Sequence, residues 1–288
     1  MQPRFSLEYF DPPEALRRHI LVLFHFATDD PLFSDLQPGG LGQLVLFAQG
    51  EGEMHFAGHT DPVRGKAYLM SGFSRAARFE MRGPWRTIGA SLSPLGWAAL
   101  TGSPARDHVD RFLPASQLVG GDVEQFAGQL GAQYLAGQLG GEAACNALAD
   151  WIAPRLGQIP AVHEKLIETT IHWLGGAICP DLDLLFPQLP YSRRQSERLV
   201  ERYFGLPPAA LARKFRAIRA AAILSRDVLS GAEEAVLADA FHDQPHMVRE
   251  IKRFCGYTPS RLGGAGQPIM KTLLQLKNFE RLREFRAL

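Results

Sequence analysis

Cysteine is scarce in this chain: the 288 residues hold three, Cys145, Cys179 and Cys255, far apart and without a CxxC pair. An odd and scattered set argues against a disulfide framework and against a zinc module, and it fits a reducing compartment. Long hydrophobic runs are missing as well. The longest, Ile20 to Ala27, is interrupted by His25 and falls far short of a membrane span. The opening MQPRFSLEYFDPP has no apolar core of signal-peptide length, so the expected location is the cytoplasm, with no membrane partner. No GxSxG elbow is found, and no Gly-rich phosphate loop follows a strand, which removes two common catalytic signatures. There is no repeat of solenoid period and no low-complexity tract.

What is present is ordinary in bulk and uneven in layout. With 46% hydrophobic and 21% charged residues, the chain can bury cores without metals or disulfides, and its length suggests two domains. Net charge is +1. Residues 1–157 carry 12 Lys/Arg against 16 Asp/Glu, whereas residues 158–288 carry 19 against 14. Tyr191–Arg219 alone holds eight basic and two acidic residues. A basic cluster on helical sequence is the footprint expected of a phosphate-backbone partner, although a solvated helix face gives the same count.

Up to about Leu118 the pattern predicts strands: Ile20–Phe26, Gln43–Phe47, Glu53–Phe56, Ala67–Met70, Ala77–Met81 and Thr87–Leu92. Breakers separate them, among them Gly50-Glu51-Gly52 and Gly83-Pro84. That spacing predicts an antiparallel sandwich or barrel. Ser93-Pro94 opens a short helix to Thr101. From Asp122 the period becomes helical, over Asp122–Leu139 and Glu142–Leu156, a pair that suits either a dimer interface or a cap on the barrel. Gly157–Pro160 reads as a linker, and everything after Ala161 reads as helix.

Two stretches in that helical part carry the chemistry. Val236–Ala240 predicts a short helix, Phe241-His242-Asp243 a turn, and Gln244–Phe254 a second helix. Asp243 serves as N-cap, Pro245 falls in the first turn, and Gly256 ends the helix ahead of Tyr257-Thr258-Pro259. Met247, Ile251 and Phe254 form one apolar face. Some fifty residues earlier the plan repeats: Asp183–Leu189, a turn at Pro190-Tyr191, and Ser192 capping Arg193–Phe204 up to Gly205. Ala209–Arg226 then predicts a long connecting helix. Each unit is a helix-turn-helix.

These stretches resemble the AraC family. Phe241-His242-Asp243-Gln244-Pro245-His246-Met247 … Arg249 … Lys252-Arg253-Phe254-Cys255-Gly256-Tyr257-Thr258-Pro259 is similar to the family signature, and Ser192 … Tyr203-Phe204-Gly205 resembles the first half of its DNA-binding domain. The likeness spans about Val162–Leu262. Pro38-Gly39-Gly40, Gly72-Phe73-Ser74-Arg75 and Pro94 … Leu100-Thr101-Gly102 resemble a cupin-like sensor domain, more loosely. The resemblance implies a multidomain α+β chain. It places a cupin-like sensor and dimerisation domain over 1–157, with the helix pair 122–156, and a double helix-turn-helix domain over 161–262. An amphipathic helix over 267–288 follows.

It also implies a transcription regulator, not an enzyme, with double-stranded DNA as partner, a small-molecule effector, a homodimer and RNA polymerase contact. No cofactor or metal is implied. Base reading passes by resemblance to Arg194, Glu197 and Arg198 in the first unit, and to Gln244, His246 and Arg249 in the second. Arg can pair with guanine, Gln with adenine and Glu with cytosine. Arg193, Arg202, Lys252 and Arg253 suit phosphates. Departures from the family are Phe186, Pro187 and Pro190 in the first unit and Val236, Ala240 and Pro245 in the second. Phe47, Tyr68, Phe73 and Trp85 are candidates for an effector pocket, or plain core. His55 and His59 flank a strand and turn, where their spacing does not converge on a metal. Two alternatives stay open: a metal-dependent cupin-type enzyme, and a decayed helix-turn-helix pair that binds protein.

Overall fold

The computed structural model describes residues 5–225 and 228–262. The expected helix over 267–288 therefore lies outside the described residues. The N-terminal part is one antiparallel sheet built from β1 (Phe5–Phe10), β2 (Ile20–Thr28), β3 (Leu32–Gln37), β4 (Gly42–Phe56), β5 (His59–Val63), β6 (Ala67–Met70), β7 (Ala77–Leu92) and β8 (Leu113–Pro114). The hydrogen-bonded order is β1-β2-β7-β4-β6-β8, with β3 added to β7 and β5 to β4.

Two long strands replace four expected short ones, and the reason is partner exchange. β7 pairs with β3 up to Arg82 and with β2 from Trp85, so Gly83-Pro84 marks a change of neighbour. β4 pairs with β6 over Gln43–Leu46 and with β5 from Gly52, and its register against β7 shifts twice between Phe47 and Glu51. The breakers bend the strands and do not end them, as bulges do in curved sheets.

Alternation along the strands sorts side chains into two cores. Leu23, Leu44, Leu46, Ile88 and Ala90 face outward under helices, whereas Phe26, Val45, Phe47, Met54 and Trp85 face the enclosed side. The outer face is covered by α1 (Pro94–Thr101), α2 (Ser116–Val119), α3 (Asp122–Leu135) and α4 (Gly141–Ile152). Ser93 accepts the Gly96 N–H and Pro94 fills the first turn, as the sequence predicts for α1. The α3–α4 pair lays Val123, Leu130, Leu148 and Ile152 on the sheet, and His25 on β2 meets the Tyr134 hydroxyl of α3 at 2.7 Å. The apolar faces of the pair thus cap the sheet.

The helical part consists of α5 (Ala161–Gly176), α6 (Leu182–Leu185), α7 (Arg193–Phe204), α8 (Pro208–Leu224), α9 (Gly231–Ala240) and α10 (Gln244–Cys255). α6 is shorter than the sequence predicts because Pro187 turns Phe186–Gln188 into a 3-10 helix. α9 starts five residues before the expected Val236. Ser230 and Glu233 form a reciprocal capping box, a signal the sequence already carries. Each helix-turn-helix core borrows from the β domain: Leu95 and Ala98 of α1 join the first, and Leu36 of β3 joins the second.

Candidate nucleic-acid interface

Local chemistry fixes both candidate recognition helices. Ser192 caps α7 by accepting the Gln195 N–H, and Gly205, in the left-handed region at φ 82°, closes it. Ser196, Val200, Tyr203 and Phe204 form the buried face, which leaves Arg193, Arg194 and Arg198 in solvent. Asp243 caps α10 by accepting the His246 N–H at 2.6 Å, and Gly256 closes it at φ 85°. Ile251, Phe254 and Cys255 are buried, while Gln244, Arg249, Lys252 and Arg253 are exposed. The N-terminus of α7 therefore presents amides and basic side chains to solvent, which suits an anion, whereas the exposed cations of α10 lie in its middle and last turn.

The candidates are not equally free. Arg193 lies over the Phe186 ring at 4.6 Å and pairs with Glu197 at 3.3 Å, so Phe186, a departure from the family, seats an arginine. That pair is exposed and weak, and Glu197 can leave it to accept from a base. His246 packs edge-on against Phe241, 5.9 Å between ring centres, and is half-buried. Arg202 is half-buried beside Tyr203. It lines a hollow of about 460 Å³ together with Arg194, Arg198 and Arg106. Arg106 follows α1 in the β domain, and no helical pattern in the sequence points to it.

The basic cluster counted from the sequence divides in two. Arg193, Arg194, Arg198 and Arg202 face the solvent side of α7, but the four basic residues on α8 are engaged within the fold. Arg213 clamps Glu250 of α10 through two hydrogen bonds of 3.0 and 2.8 Å. Burial alone would raise the Glu250 carboxyl; Arg213 outweighs it, with help from His246 and Arg216, and the result lies below the ordinary value. Arg216 stacks over Phe241 at 5.0 Å. Arg219 donates to the carbonyls of Leu174 and Ala177 at the end of α5, satisfying groups the helix leaves open. Lys214 is fully buried and donates to the carbonyls of Gly40 at 2.8 Å and Phe73 at 3.2 Å.

Main-chain bonds reinforce that seam. Gly39 N–H donates to Phe254 O and Ala76 N–H to Arg253 O, both at 2.9 Å, so the C-terminal end of α10 is stitched to two β-domain loops. Tyr257 O–H donates to Asp35 at 2.6 Å; burial chiefly, and the Asp35 carboxylate next, push that phenol up.

Within the β domain the sheet lines a partly open cavity of about 100 Å³. Phe47 and Trp85 line it. Tyr68 and Phe73 belong to the same core but do not line the cavity: the Tyr68 hydroxyl accepts the N–H groups of Arg64 and Gly65, and Phe73 packs edge-on against Phe56. His55 bonds Thr60 and His59 lies 3.7 Å from Asp61, at the β4–β5 hairpin. Among the described residues no three His, Cys, Asp or Glu side chains gather to hold a metal. Nor does any helix there reach the length and apolarity needed to cross a membrane.

Residues 187–263 match the helix-turn-helix domain family. This is an AraC-type DNA-binding domain. With it the chain is a DNA-binding transcription regulator. The match begins at Pro187, so α5 and α6 precede the matched part of the AraC-type region. Comparison with curated proteins gives no match. Among solved structures the chain is similar to ToxT from Vibrio cholerae O395, at 9% identity over 94% of this chain and 99% of that one, TM-score 0.47. An apo point variant of ToxT from Vibrio cholerae strain SCE256 gives 8% identity over 89% and 95%, TM-score 0.46. The AraC-like transcriptional activator CuxR gives 14% over 75% and 86%, TM-score 0.30. The assignment rests on the domain match and on the caps and faces of α7 and α10.

Proposed function

We propose that the protein is a one-component, non-catalytic cytoplasmic regulator in which a small molecule held by the β domain sets how the two helix-turn-helix units meet an operator. Arg194, Arg198, Gln244 and Arg249 read base edges, with Glu197 and His246 as adjustable partners. Arg193, Arg202, Lys252 and Arg253 hold phosphates. The observation that carries the effector half is the Gly39 N–H to Phe254 O bond. Gly39 sits in the loop between Gln37 and Gln43, both of which line the cavity, and its partner is at the end of a recognition helix. A ligand that moves this loop has a direct mechanical hold on α10, and it acts to the extent that it prefers one arrangement over the other.

Beyond its first residue, Asp122, which pairs with Arg155, the outward side of α3, with Gln125, Gln129, Ala132, Gln133 and Leu135, carries no charge, which suits pairing with a second copy. A dimer is the expected species in sedimentation of the full-length protein.

The test is selection of genomic DNA fragments by the full-length protein, repeated with Arg198→Ala/Arg249→Ala. Enrichment of one motif, lost in the double variant, supports the reading. Absence of enrichment at low salt, with and without cell extract as effector source, refutes it. A second reading is favoured by the short α6: the first unit positions on phosphates and the second alone specifies bases. In that case Arg198→Ala weakens all sequences alike.

A further inference from the structure

The proposed effector site also states what chemistry it accepts. Seven aromatic side chains, Tyr9, Phe24, Phe26, Phe47, Phe79, Trp85 and Phe112, wall the cavity in the β domain. Met54, Met70 and Met81 fill between them with adaptable thioethers. Among the described residues, none that lines the cavity is Asp, Glu, Lys, Arg or His. A carboxylate, phosphate or ammonium would enter without a counter-charge and lose its hydration, which makes charged ligands poor candidates.

Polar groups come from Tyr9, Gln37, Gln43, Trp85, Thr87 and Ser91, and two of them are unpaired. Trp85 Nε1 and Ser91 Oγ are both buried and have no hydrogen-bond partner among the described residues, and both residues line the cavity. Trp85 is 9% exposed and Ser91 3%. Buried donors in native proteins find partners, and an indole N–H can only donate. An orphaned donor inside an uncharged aromatic chamber asks for an acceptor on whatever fills it. An engineered apolar cavity of roughly 150 Å³ holds benzene, so the chamber is of the order that takes one ring, with the methionines re-packing to admit substituents.

From this we infer that the effector is a compact, uncharged, mostly apolar molecule bearing a hydrogen-bond acceptor, of the aromatic-ketone class, held by Trp85 Nε1. The inference rests on the β domain being the effector site.

Three probes of one shape test it on the full-length protein: acetophenone, ethylbenzene and benzoate. Binding is read by thermal shift and by calorimetry, with Trp85→Phe and Ser91→Ala beside the wild type. Acetophenone is expected to bind tightest, and Trp85→Phe to weaken it about tenfold while leaving ethylbenzene unchanged. Benzoate is expected to show no binding. Benzoate binding as tightly as acetophenone, or acetophenone affinity indifferent to Trp85→Phe, overturns the ligand class. A lumen-filling Ser91→Leu variant is expected to abolish acetophenone binding, and acetophenone that still binds it overturns the placement in this chamber. The effector reading itself is tested apart, by whether Ser91→Leu also abolishes the response of operator binding to cell extract. A response that persists sinks that reading, and the ligand class falls with it.

Discussion

The ammonium of Lys214 lies 2.8 Å from the Gly40 carbonyl oxygen, which pins the helix joining the two DNA-binding units to the β domain by a fully buried charge. Burial pushes this group down from the ordinary 10.5 to about 8, and Asp110 pulls weakly the other way. The unfolded chain therefore binds more protons between about pH 8 and 10.5, and stability rises with pH across that window. Crossing it is worth roughly 3 kcal/mol. The thiols of Cys145 and Cys255, pushed up to about 12 by burial, act oppositely above pH 9. Comparing Lys214→Met with wild type cancels them. In denaturant titrations the stability of the variant relative to wild type is expected to fall as pH rises; a flat difference refutes the assignment.

On DNA, Arg249→Ala and Lys252→Ala should fail in different ways. Arg249 in the middle of α10 is assigned to a base, so its loss costs about 1–3 kcal/mol and relaxes one operator position. Lys252 is assigned to a phosphate, so its loss weakens all sequences and lowers the salt slope by about one. Competition binding at several salt concentrations separates the two patterns.

Arg213 and Glu250 tie α8 to α10, and the pair is asymmetric: the Arg213 side chain is 49% exposed, the Glu250 side chain 6%. Arg213→Ala strands a buried carboxylate and should cost about 2 kcal/mol, less than a fully buried pair because water reaches one side. Glu250→Gln leaves a neutral group that can still bond and should cost about 1 kcal/mol. Thermal melts giving the reverse order would count against the pair as the tie between the helices.

Gly256 serves two purposes, and substitution separates them. A Cβ there would meet Leu36 Cδ1 at 2.4 Å, in addition to the left-handed strain. At Gly102, also left-handed at φ 64°, a Cβ would meet nothing within 4 Å. Gly102→Ala should cost about 1 kcal/mol, and Gly256→Ala about 1 kcal/mol more, with earlier proteolysis between the domains.

The helix-turn-helix units were legible because their ends are written in local chemistry: Ser192, Gly205, Asp243 and Gly256 each do in the fold what their residue type suggests. The strands were legible in type but not in extent, since Gly50 and Pro84 interrupt a ladder without showing that the strand continues with another neighbour. β1 and β3 escaped because Glu8 and Asp35 break their apolar runs. The basic cluster was overread for a different reason. A count of charges cannot distinguish an arginine aimed at solvent from Arg213 or Arg219, whose partners lie 37 and 45 residues away. The four effector-pocket candidates share the inner core, but whether a ring touches open space, as Phe47 does, or closes on its neighbours, as Phe73 does, depends on strands far apart in sequence.

The seam between the two domains is composed largely of peptide groups: the amides of Gly39 and Ala76, the carbonyls of Gly40, Phe73, Arg253 and Phe254. Every residue but proline carries the same amide, so drift in side chains on these loops leaves the junction intact except at Gly39, where a Cβ would crowd the Phe73 carbonyl at 3.0 Å. Length is another matter. One residue gained or lost between Gln37 and Gln43 moves the Gly39 amide past Phe254 O and the Gly40 carbonyl past Lys214, so heritable change in this loop will be recorded as insertions and deletions before it is recorded as substitutions.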